Sequence, residues 1–425
     1  MAAERLLEAY YGKEEESGVA LVTTLLLPAG GGAVLRSFVR WHLAIGFERV
    51  YLFFDDKNNE SPAGWEEVSA ASDEKRVVRF RRGRSESYES LASYGKFGEF
   101  FESEPQARQV LNADYASTLA KKDGFKWLVH LDVDEAFFAS SRETFHKHFG
   151  DLEAANVARC TYANHEGVPE RVSRDYFKGV RLFKRNHFCV PLSAPAHEAM
   201  TFWKKRTKKG QYLLCYDNGK SAVRLVEDIK PTSVHSWSVP STYATKTALA
   251  SDPRHLDVRE QGLEASFDEP CVLHYVVCGL FWLETKYAIL GDFPDAWFGG
   301  KLPIAPNFHL DARDTFKSRD EDALRQLYAS HVAAPTQDII EDHIKAQVCR
   351  RYHLIADFLA LFEDTKDDSH EVVKEEQQQS STERIIDSGL PPTTPASSTG
   401  ENPTKKPQDD ALRAWILSSA AQSYL

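Results

Sequence analysis

The chain lacks an excess of positive charge. Its 425 residues include 52 lysines and arginines against 63 aspartates and glutamates, which gives a formal net charge of −11. Proteins draw much of their affinity for nucleic acid from lysine and arginine contacts to phosphate, so this composition argues against a nucleic-acid partner. Two local basic stretches, Arg79–Arg84 and Lys204–Lys209, are typical of solvated surface, although either one could instead bind a diphosphate.

Long apolar segments are also lacking. The sequence contains no run of about 18 uncharged apolar residues, the length that crosses a membrane. Residues 1–18 contain no continuous apolar core of the kind found in secretory signal peptides. We therefore expect no transmembrane segment and a cytoplasmic location.

Paired cysteine motifs are missing. The six cysteines form no Cys-x-x-Cys pair, and their spacing matches no zinc-binding pattern. Free thiols in a reducing compartment account for them, and one or two disulfides are the alternative.

Several familiar catalytic motifs are incomplete. Asn218–Ser221 resembles the end of a phosphate-binding P-loop, but Leu214 stands where that motif requires glycine. Gly30–Gly32 does not open a Gly-x-Gly-x-x-Gly sequence, because Leu35 occupies the position of the third glycine. No Gly-x-Ser-x-Gly or His-Glu-x-x-His segment occurs. These absences disfavour P-loop, dinucleotide-binding, serine-hydrolase and zinc-protease chemistry.

What the sequence does contain is an alternation of strand-like and helix-like apolar segments. Predicted strands run over 18–28, 48–54, 75–80 and 126–131, and predicted helices over 33–46 and 104–122. This order is typical of an open α/β sheet, mostly parallel, with helices on its faces.

The later part of the chain has shorter elements. Strands are predicted at 156–163, 179–185, 212–217 and 221–226, and a strand passing into a helix over 270–290. Residues 319–362 have a helical pattern, and the acidic triplet Asp320–Asp322 is expected at a helix start, where the helix dipole favours acids. Residues 363–407 are rich in Glu, Gln, Ser, Thr and Pro and are predicted to be disordered.

Three of the predicted strands end in residues suited to ligand binding. They are followed by Gly30–Gly32, by Asp55-Asp56, and by Asp132 and Asp134. Ligands of open α/β sheets bind beyond the carboxyl ends of the strands. Because side chains alternate along a strand, we expect Asp132 and Asp134 on one side, facing this crevice. Mg²⁺ and Mn²⁺ take carboxylate oxygens together with substrate phosphates, so we predict a metal site there.

A set of separated motifs extends over residues 19–300. Its members are Trp41-His42 with Gly46, Asp55, Gln109 with Asn112, Trp127 with Asp132, Asp134 and Glu135, and the segments 218–237 and 272–275. This pattern resembles the family 2-like and family 92-like groups of GT-A glycosyltransferases. It departs from them after the first strand, where they carry Asn-Glu and this chain has Pro28 and Ala29 followed by glycines.

The resemblance implies a GT-A fold, an open mixed sheet flanked by helices, over residues 19–316. It implies transfer of a sugar from a UDP- or GDP-sugar donor to a hydroxyl group of a glycan or protein acceptor, with Mn²⁺ or Mg²⁺ as cofactor. The rest of the chain divides into an N-terminal extension (1–18), a C-terminal helical region (317–362), a disordered linker (363–407) and a short terminal helix (408–425). Relatives of this kind often sit in the secretory pathway, so the Golgi is the alternative location.

The resemblance also implies roles for individual residues. Asp134 would bind the metal directly, with Asp132 reaching the metal or the ribose. A third metal ligand would come from His235 or His274, and His235 is slightly favoured because the segment before it also matches. The nucleotide sugar would be contacted by Asp55, Arg108, Gln109, Asn112 and Asp132.

A transfer that inverts the anomeric centre, which we expect, needs a general base for the acceptor hydroxyl. Glu198, Glu166 and Glu135 are the candidates, and Glu198 is favoured; a retaining reaction would remove the need for this base. Two other functions stay open. A nucleotidyltransferase would want a basic loop after the first strand, where the nearest basic residue is Arg36. A catalytically inactive binding or scaffold protein would use the acidic tail to bind its partner.

Overall fold

The computed structural model describes residues 17–28, 31–56, 65, 68, 76–171, 173–249, 269–304 and 307–362. The predicted N-terminal extension up to residue 16, the predicted disordered segment 363–407 and the predicted helix 408–425 lie outside the described residues.

The described strands are β1 (Val19–Leu25), β2 (Arg49–Phe54), β3 (Val77–Arg81), β4 (Trp127–His130), β5 (Glu135–Phe138), β6 (Val157–Tyr162), β7 (Asn164–Val168), β8 (Leu182–Lys184), β9 (Lys220–Arg224), β10 (Lys230–Pro231), β11 (Trp237–Ser238), β12 (Ala244–Thr247), β13 (Cys271–His274), β14 (Ala296–Trp297), β15 (Leu302–Pro303) and β16 (Cys349–Arg351). The described α-helices are α1 (Gly32–Ile45), α2 (Tyr94–Phe97), α3 (Pro105–Lys122), α4 (Arg142–Ala154), α5 (Tyr176–Gly179), α6 (Ala194–Lys205), α7 (Leu280–Leu290), α8 (Phe308–Ser318), α9 (Glu321–His331), α10 (Gln337–Lys345) and α11 (Leu354–Ala360).

The largest described sheet has the strand order β12-β6-β9-β4-β1-β2-β3. Strands β1, β2, β3 and β4 pair in parallel, whereas β9 runs antiparallel to both of its neighbours. Every residue of β1 is buried, as expected of a central strand that is covered on both faces. Leu21 packs with α1 and α4 on one face, and Val22 packs with α3 on the other. The predicted α/β class, an open mixed sheet flanked by helices, is confirmed.

Helix α1 ends where the sequence predicts, at Gly46. This residue has φ of +135°, a conformation that L-residues with side chains rarely adopt, so glycine allows the chain to leave the helix. A Cβ atom here would also lie 2.6 Å from Cδ1 of Phe145. The position therefore combines a backbone requirement with close packing against α4.

A second sheet has the order β16-β8-β7-β13-β5. Strand β5 follows β4 directly in the chain but belongs to this second sheet, where it pairs antiparallel with β13. The chain therefore crosses from the first sheet to the second between His130 and Glu135. This crossing contains both aspartates of the predicted metal site.

Two predictions for the later part of the chain need correction. Residues 212–217 are not a strand, because the backbone N–H groups of Leu214 and Cys215 donate to the Glu166 carboxylate, at 2.6 and 3.3 Å, instead of to a neighbouring strand. The segment 319–362 is not wholly helical, because β16 interrupts it and pairs with β8. The acidic triplet does begin a helix: the Asp320 side chain accepts the N–H of Ala323 at 2.9 Å.

Two further properties bear on the sequence-based expectations. All six cysteines are free thiols. Over the part of the chain that the structure describes, no helix combines the length and the apolar character needed to span a bilayer.

Candidate functional site

The two aspartates of the predicted metal site lie in a turn. The N–H of Glu135 donates to the Asp132 carbonyl at 3.0 Å, and the N–H of Tyr275 donates to the Asp134 carbonyl at 2.8 Å. The expectation that strand alternation places both carboxylates on one side is therefore wrong, because β4 ends at His130. The crossing between the two sheets, fixed by Tyr275 after β13, brings them together instead.

This turn borders a cleft of about 1660 Å³. Most of the predicted site residues line this cleft, namely Asp55, Gln109, Asp132, Asp134, His235 and His274. The first four follow or face the carboxyl ends of the parallel strands β1, β2 and β4, where an open α/β sheet binds its ligands. His274 ends β13, so the second sheet forms another wall of the same cleft.

Asp132 is held by two side chains from distant parts of the sequence. Gln109 Nε2 donates to its Oδ1 at 2.9 Å, and Lys220 Nζ donates to its Oδ2 at 2.8 Å. Lys220 begins β9 and is fully buried, and its ammonium also lies 3.5 Å from Oε2 of Glu135. Burial would raise the pKa of Asp132, but the charge and the hydrogen bond of Lys220, together with His130, lower that pKa overall.

Glu135 lies behind the cleft and is fully buried. Its Oε2 accepts the backbone N–H of Asp132 at 2.8 Å, and its Oε1 accepts the hydroxyl of Tyr216. Burial raises the pKa of Glu135 to about 7, although Lys220 acts in the opposite direction. Tyr216 itself lines the cleft, so its hydroxyl group connects the buried carboxyl group to the ligand space.

Asp134 has a different set of partners. Lys286 Nζ, from α7, donates to its Oδ2 at 3.1 Å, and His274 Nε2 lies 3.6 Å from the same oxygen. Burial would raise the pKa of Asp134, but Lys286 and then His274 lower it well below its usual range. The carboxylate is therefore ionised at neutral pH. Its side chain is 20% exposed.

The two candidate histidines differ in their contacts. His274 approaches Asp134, as described above, whereas His235 Nδ1 lies 2.9 Å from the carbonyl oxygen of Gly219. A carbonyl accepts, so Nδ1 of His235 carries a proton and Nε2 of the neutral ring has a lone pair. Burial lowers the pKa of His235 to about 3. Both rings pack near Tyr216, at 4.5 Å for His235 and 5.1 Å for His274.

Asp55 is fixed by arginines on its protein side. Arg108 Nε donates to Asp55 Oδ1 at 2.7 Å, and Arg82 Nε lies 3.7 Å from the same atom. Arg108 is 1% exposed and does not line the cleft, so the structure places it behind Asp55. Asn112 is also buried, and bonds to Tyr88 and Thr24. Of the four residues predicted to contact the nucleotide from this region, Asp55 and Gln109 reach the cleft.

The structure does not bring Glu198 to the cleft. This residue is exposed on α6, whereas the cleft-facing positions of that helix are Met200 and Lys204. Glu166 forms a buried ion pair with Lys184 at 2.5 Å and, as noted above, holds the segment 212–217. The preference for Glu198 as base therefore stays a prediction without support from this geometry.

Sequence reasoning missed three residues of the site: Lys220, Lys286 and Tyr216. Lys220 lies within the incomplete P-loop motif, and a lysine that opens an apolar strand was the available signal. Lys286 lies in a predicted helix between the apolar runs 280–283 and 287–290, which could have suggested a cleft-facing ammonium. For Tyr216 the sequence offers no signal, because its position depends on the contacts of the irregular segment 212–217.

The metal prediction has to be tested against these contacts. Among the described residues, no three His, Cys, Asp or Glu side chains converge so as to hold a metal ion. Asp134 and His274 nevertheless offer a carboxylate oxygen and an imidazole nitrogen 3.6 Å apart at the edge of the cleft. Because Mg²⁺ and Mn²⁺ sites for nucleotides use one or two protein ligands plus phosphate oxygens and water, this pair fits such a cation.

Comparison with known proteins relates the chain by sequence to glycosyltransferase-like proteins. No family model matches the chain. It is similar to two Arabidopsis thaliana proteins that are named glycosyltransferase-like. One is 27% identical over 247 residues, 56% of this chain and 49% of the relative. The other is 28% identical over 173 residues, 40% of this chain and 29% of the relative. The chain therefore spans about half the length of the first relative and less than a third of the second.

Among solved structures, the chain is similar to core-mannan synthase A from Aspergillus fumigatus in its Mn/GDP form. The identity is 10%, the TM-score is 0.24, and the match covers 49% of this chain and 59% of that chain. A TM-score this low carries no argument about fold or chemistry. The two plant relatives support glycosyl transfer as the kind of reaction to test.

Proposed function

We propose that this protein is a glycosyltransferase that moves a sugar from a nucleotide-sugar donor to an acceptor hydroxyl group. The observation that carries the proposal is the position of Asp132 and Asp134. Both carboxylates lie at the carboxyl-end edge of the parallel strands and line one large cleft together with Asp55. A cleft at this edge is where an open α/β sheet binds a nucleotide, and the plant relatives agree with this chemistry.

We place the donor with its diphosphate near Asp134 and its nucleoside towards Asp55. Asp134 and His274 would hold a divalent cation, which supplies positive charge to the departing nucleoside diphosphate. Gln109 and Lys220 fix the Asp132 carboxylate, so that it can accept a ribose hydroxyl without changing its rotamer. Arg108 orients the Asp55 carboxylate from behind.

The acceptor hydroxyl must lose a proton during an inverting transfer. We propose Glu135, acting through Tyr216, in preference to Glu198. Tyr216 lines the cleft and its hydroxyl donates to Glu135, so a proton would pass from the acceptor to the phenol oxygen as the phenol proton passes to the carboxylate. Glu198 is exposed on α6, outside the residues that line the cleft.

A ligand screen tests the donor site. Nucleoside diphosphates, each with and without Mn²⁺, are added to the protein, and the thermal unfolding midpoint is recorded. We expect UDP or GDP with Mn²⁺ to raise the midpoint, because a ligand that binds only the folded state stabilises it. If no nucleotide raises the midpoint under either condition, the donor site proposed here does not exist.

Turnover is tested with a matched pair of variants. Asp134→Ala should abolish Mn²⁺-dependent hydrolysis of UDP- or GDP-sugars while the protein stays folded. Asp151→Ala removes an exposed aspartate of α4, paired with Lys147 at 2.6 Å, and should leave hydrolysis unchanged. Nucleotide binding without turnover of any sugar donor would instead favour the binding-protein alternative.

A further inference from the structure

The two lysines of the site are placed differently, although each contacts one aspartate. Lys220 has a fully buried side chain and stands behind Asp132 at the start of β9. Lys286 has a side chain that is 27% exposed and lines the cleft. Lys220 is thus a fixed part of the structure, whereas the ammonium of Lys286 can move into the ligand space.

The ammonium group of Lys286 is bound to the carboxylate oxygen of Asp134 that a metal ion would also bind. Its Nζ lies 3.1 Å from Asp134 Oδ2, the same oxygen that is 3.6 Å from His274 Nε2. A divalent cation bound by Asp134 and His274 would stand next to this ammonium, and the two positive charges would repel each other strongly in a partly desolvated cleft. The ammonium and the cation therefore compete for one carboxylate.

The helix that carries Lys286 is held in place by buried residues beside it in the sequence. Leu283 and Tyr287 are buried in the core against α8 and α9, at 0% and 1% exposure. The backbone of α7 is therefore fixed, but the four-carbon lysine stem can change rotamer. A side chain released from Asp134 stays in the cleft, because Lys286 is one of its lining residues.

The charges of the site explain why such an exchange is favourable. The carboxylates of Asp132 and Asp134 are paired with the ammonium groups of Lys220 and Lys286, respectively. A nucleotide sugar and its divalent cation together add no net charge. When the sugar leaves, the diphosphate gains one negative charge at the bridging oxygen, and a nearby free ammonium stabilises that charge.

We propose that Lys286 is the internal counter-ion of the unliganded donor site, and that on donor binding it releases Asp134 to the metal and contacts the diphosphate. This inference rests on the proposed function and adds a residue that exchanges partners between the two states. The bond between the diphosphate oxygen and the sugar breaks as the acceptor oxygen bonds to the sugar; Lys286 contributes a hydrogen bond and positive charge to the departing oxygen without transferring a proton.

Metal binding without nucleotide provides the first test. Mn²⁺ is titrated into the protein, and free Mn²⁺ is measured from its electron paramagnetic resonance signal. Lys286→Met should bind Mn²⁺ about two- to fivefold more tightly than the unaltered protein, which is the range that loss of a partly exposed competing ion pair gives. Lys96→Met is the control, because Lys96 lines the same cleft but donates to the Thr232 carbonyl at 3.0 Å and not to a carboxylate.

Nucleotide binding provides the second test, in which the variant should bind more weakly than the unaltered protein. In saturating Mn²⁺, calorimetric titration with UDP and GDP should show about tenfold weaker binding to Lys286→Met, because one charge-assisted contact to the diphosphate is lost. Lys286→Gln, which keeps most of the side-chain length, is measured in parallel in case the methionine variant fails to fold. Both variants should behave alike.

The outcomes separate this inference from the proposed function. If the unaltered protein binds Mn²⁺ and a nucleoside diphosphate but both variants bind Mn²⁺ no more tightly, Lys286 does not compete with the metal and the inference is wrong. If nucleotide affinity also stays unchanged, the contact to the diphosphate is wrong as well. If the unaltered protein binds neither Mn²⁺ nor any nucleotide, the proposed function fails, and the inference fails with it.

Discussion

Replacing Lys220 with methionine probes the most buried part of the site. The substitution keeps the length of the side chain but leaves Asp132 and Glu135 without the ammonium that lies 2.8 and 3.5 Å from them. Removing one partner of a buried ion pair costs about 3–5 kcal/mol, because an uncompensated charge stays in the interior. Asp132 is 27% exposed and can recruit water, so we assign most of the cost to Glu135, which is fully buried.

The cost should depend on pH in a way that identifies Glu135. Its pKa is already about 7 instead of 4.5, so its ionised form reduces the stability of the unaltered fold by about 3 kcal/mol above pH 7. A carboxyl group whose pKa is raised on folding contributes stability that is lost as the pH rises from the unfolded value through the folded one. Without Lys220 the pKa of Glu135 rises further. Glu135 then stays protonated at pH 6, where the substitution costs little through this residue. Towards pH 8 the unfolded state releases the proton and the folded state does not, so the free energy of unfolding falls.

We therefore expect Lys220→Met to lower the free energy of unfolding by about 2 kcal/mol at pH 6 and by about 4 kcal/mol at pH 8, within the range for a broken buried pair. Urea denaturation followed by fluorescence at both pH values measures the difference. The double variant with Glu135→Gln should recover much of the loss at pH 8. Lys147→Met, which breaks an exposed pair on α4, should change stability by less than about 0.5 kcal/mol. An equal cost at both pH values, or no recovery in the double variant, would refute the assignment to Glu135.

Three further predictions concern the scaffold around the site. Arg108→Met should destabilise the protein by about 3 kcal/mol in urea denaturation because it removes the 2.7 Å ion pair of the buried Asp55 carboxylate, and adding Asp55→Asn should restore part of this loss. Burial lowers the pKa of His42 to about 3, so the fold should lose stability as the pH falls below 6.5. The loss should be about 2 kcal/mol at pH 5 for each neutral buried histidine of this kind. Thermal unfolding midpoints measured across this pH range should fall less for His42→Gln than for the unaltered protein. Gly46→Ala should cost about 2 kcal/mol in urea denaturation, because the residue has positive φ and the added Cβ would lie 2.6 Å from Phe145. Gly150→Ala inside α4 should be neutral or stabilising, because among the described residues no atom beyond the adjacent helix backbone lies within 4 Å of the added Cβ.

The elements that the sequence predicted well are those whose pattern is local. β1, β2 and α3 have apolar residues at strand or helix spacing and clear ends, so their bounds follow within a few residues. The segment 212–217 has the same apolar character but is not a strand, because its N–H groups bond to a glutamate 48 residues away in the chain. A hydrophobic pattern reports burial, and it does not report which acceptor the backbone finds.

In the candidate site, the acidic residues could be predicted from the sequence and their basic partners could not. Asp132, Asp134 and Asp55 could be predicted because each follows a strand, and the cleft does collect all three. Their partners could not be predicted, since Lys220 is 88 residues from Asp132 and Lys286 is 152 residues from Asp134. The crossing at Asp132–Asp134 could not be predicted either, because no local pattern shows that the predicted strand 126–131 and the residues after the aspartates belong to two different sheets.

These lysines change what the acidic turn implies about metal binding. Two carboxylates close together in a partly desolvated turn cost free energy unless positive charge is near, which made a divalent cation the expected compensation. The structure supplies that compensation from the chain itself, since an ammonium group lies within 3.1 Å of each carboxylate. The acidic turn therefore does not by itself require a metal for folding. A metal at Asp134 would instead be a ligand that must displace Lys286. Its measured affinity would equal the difference between the binding free energies of the metal ion and of the ammonium group for the same carboxylate.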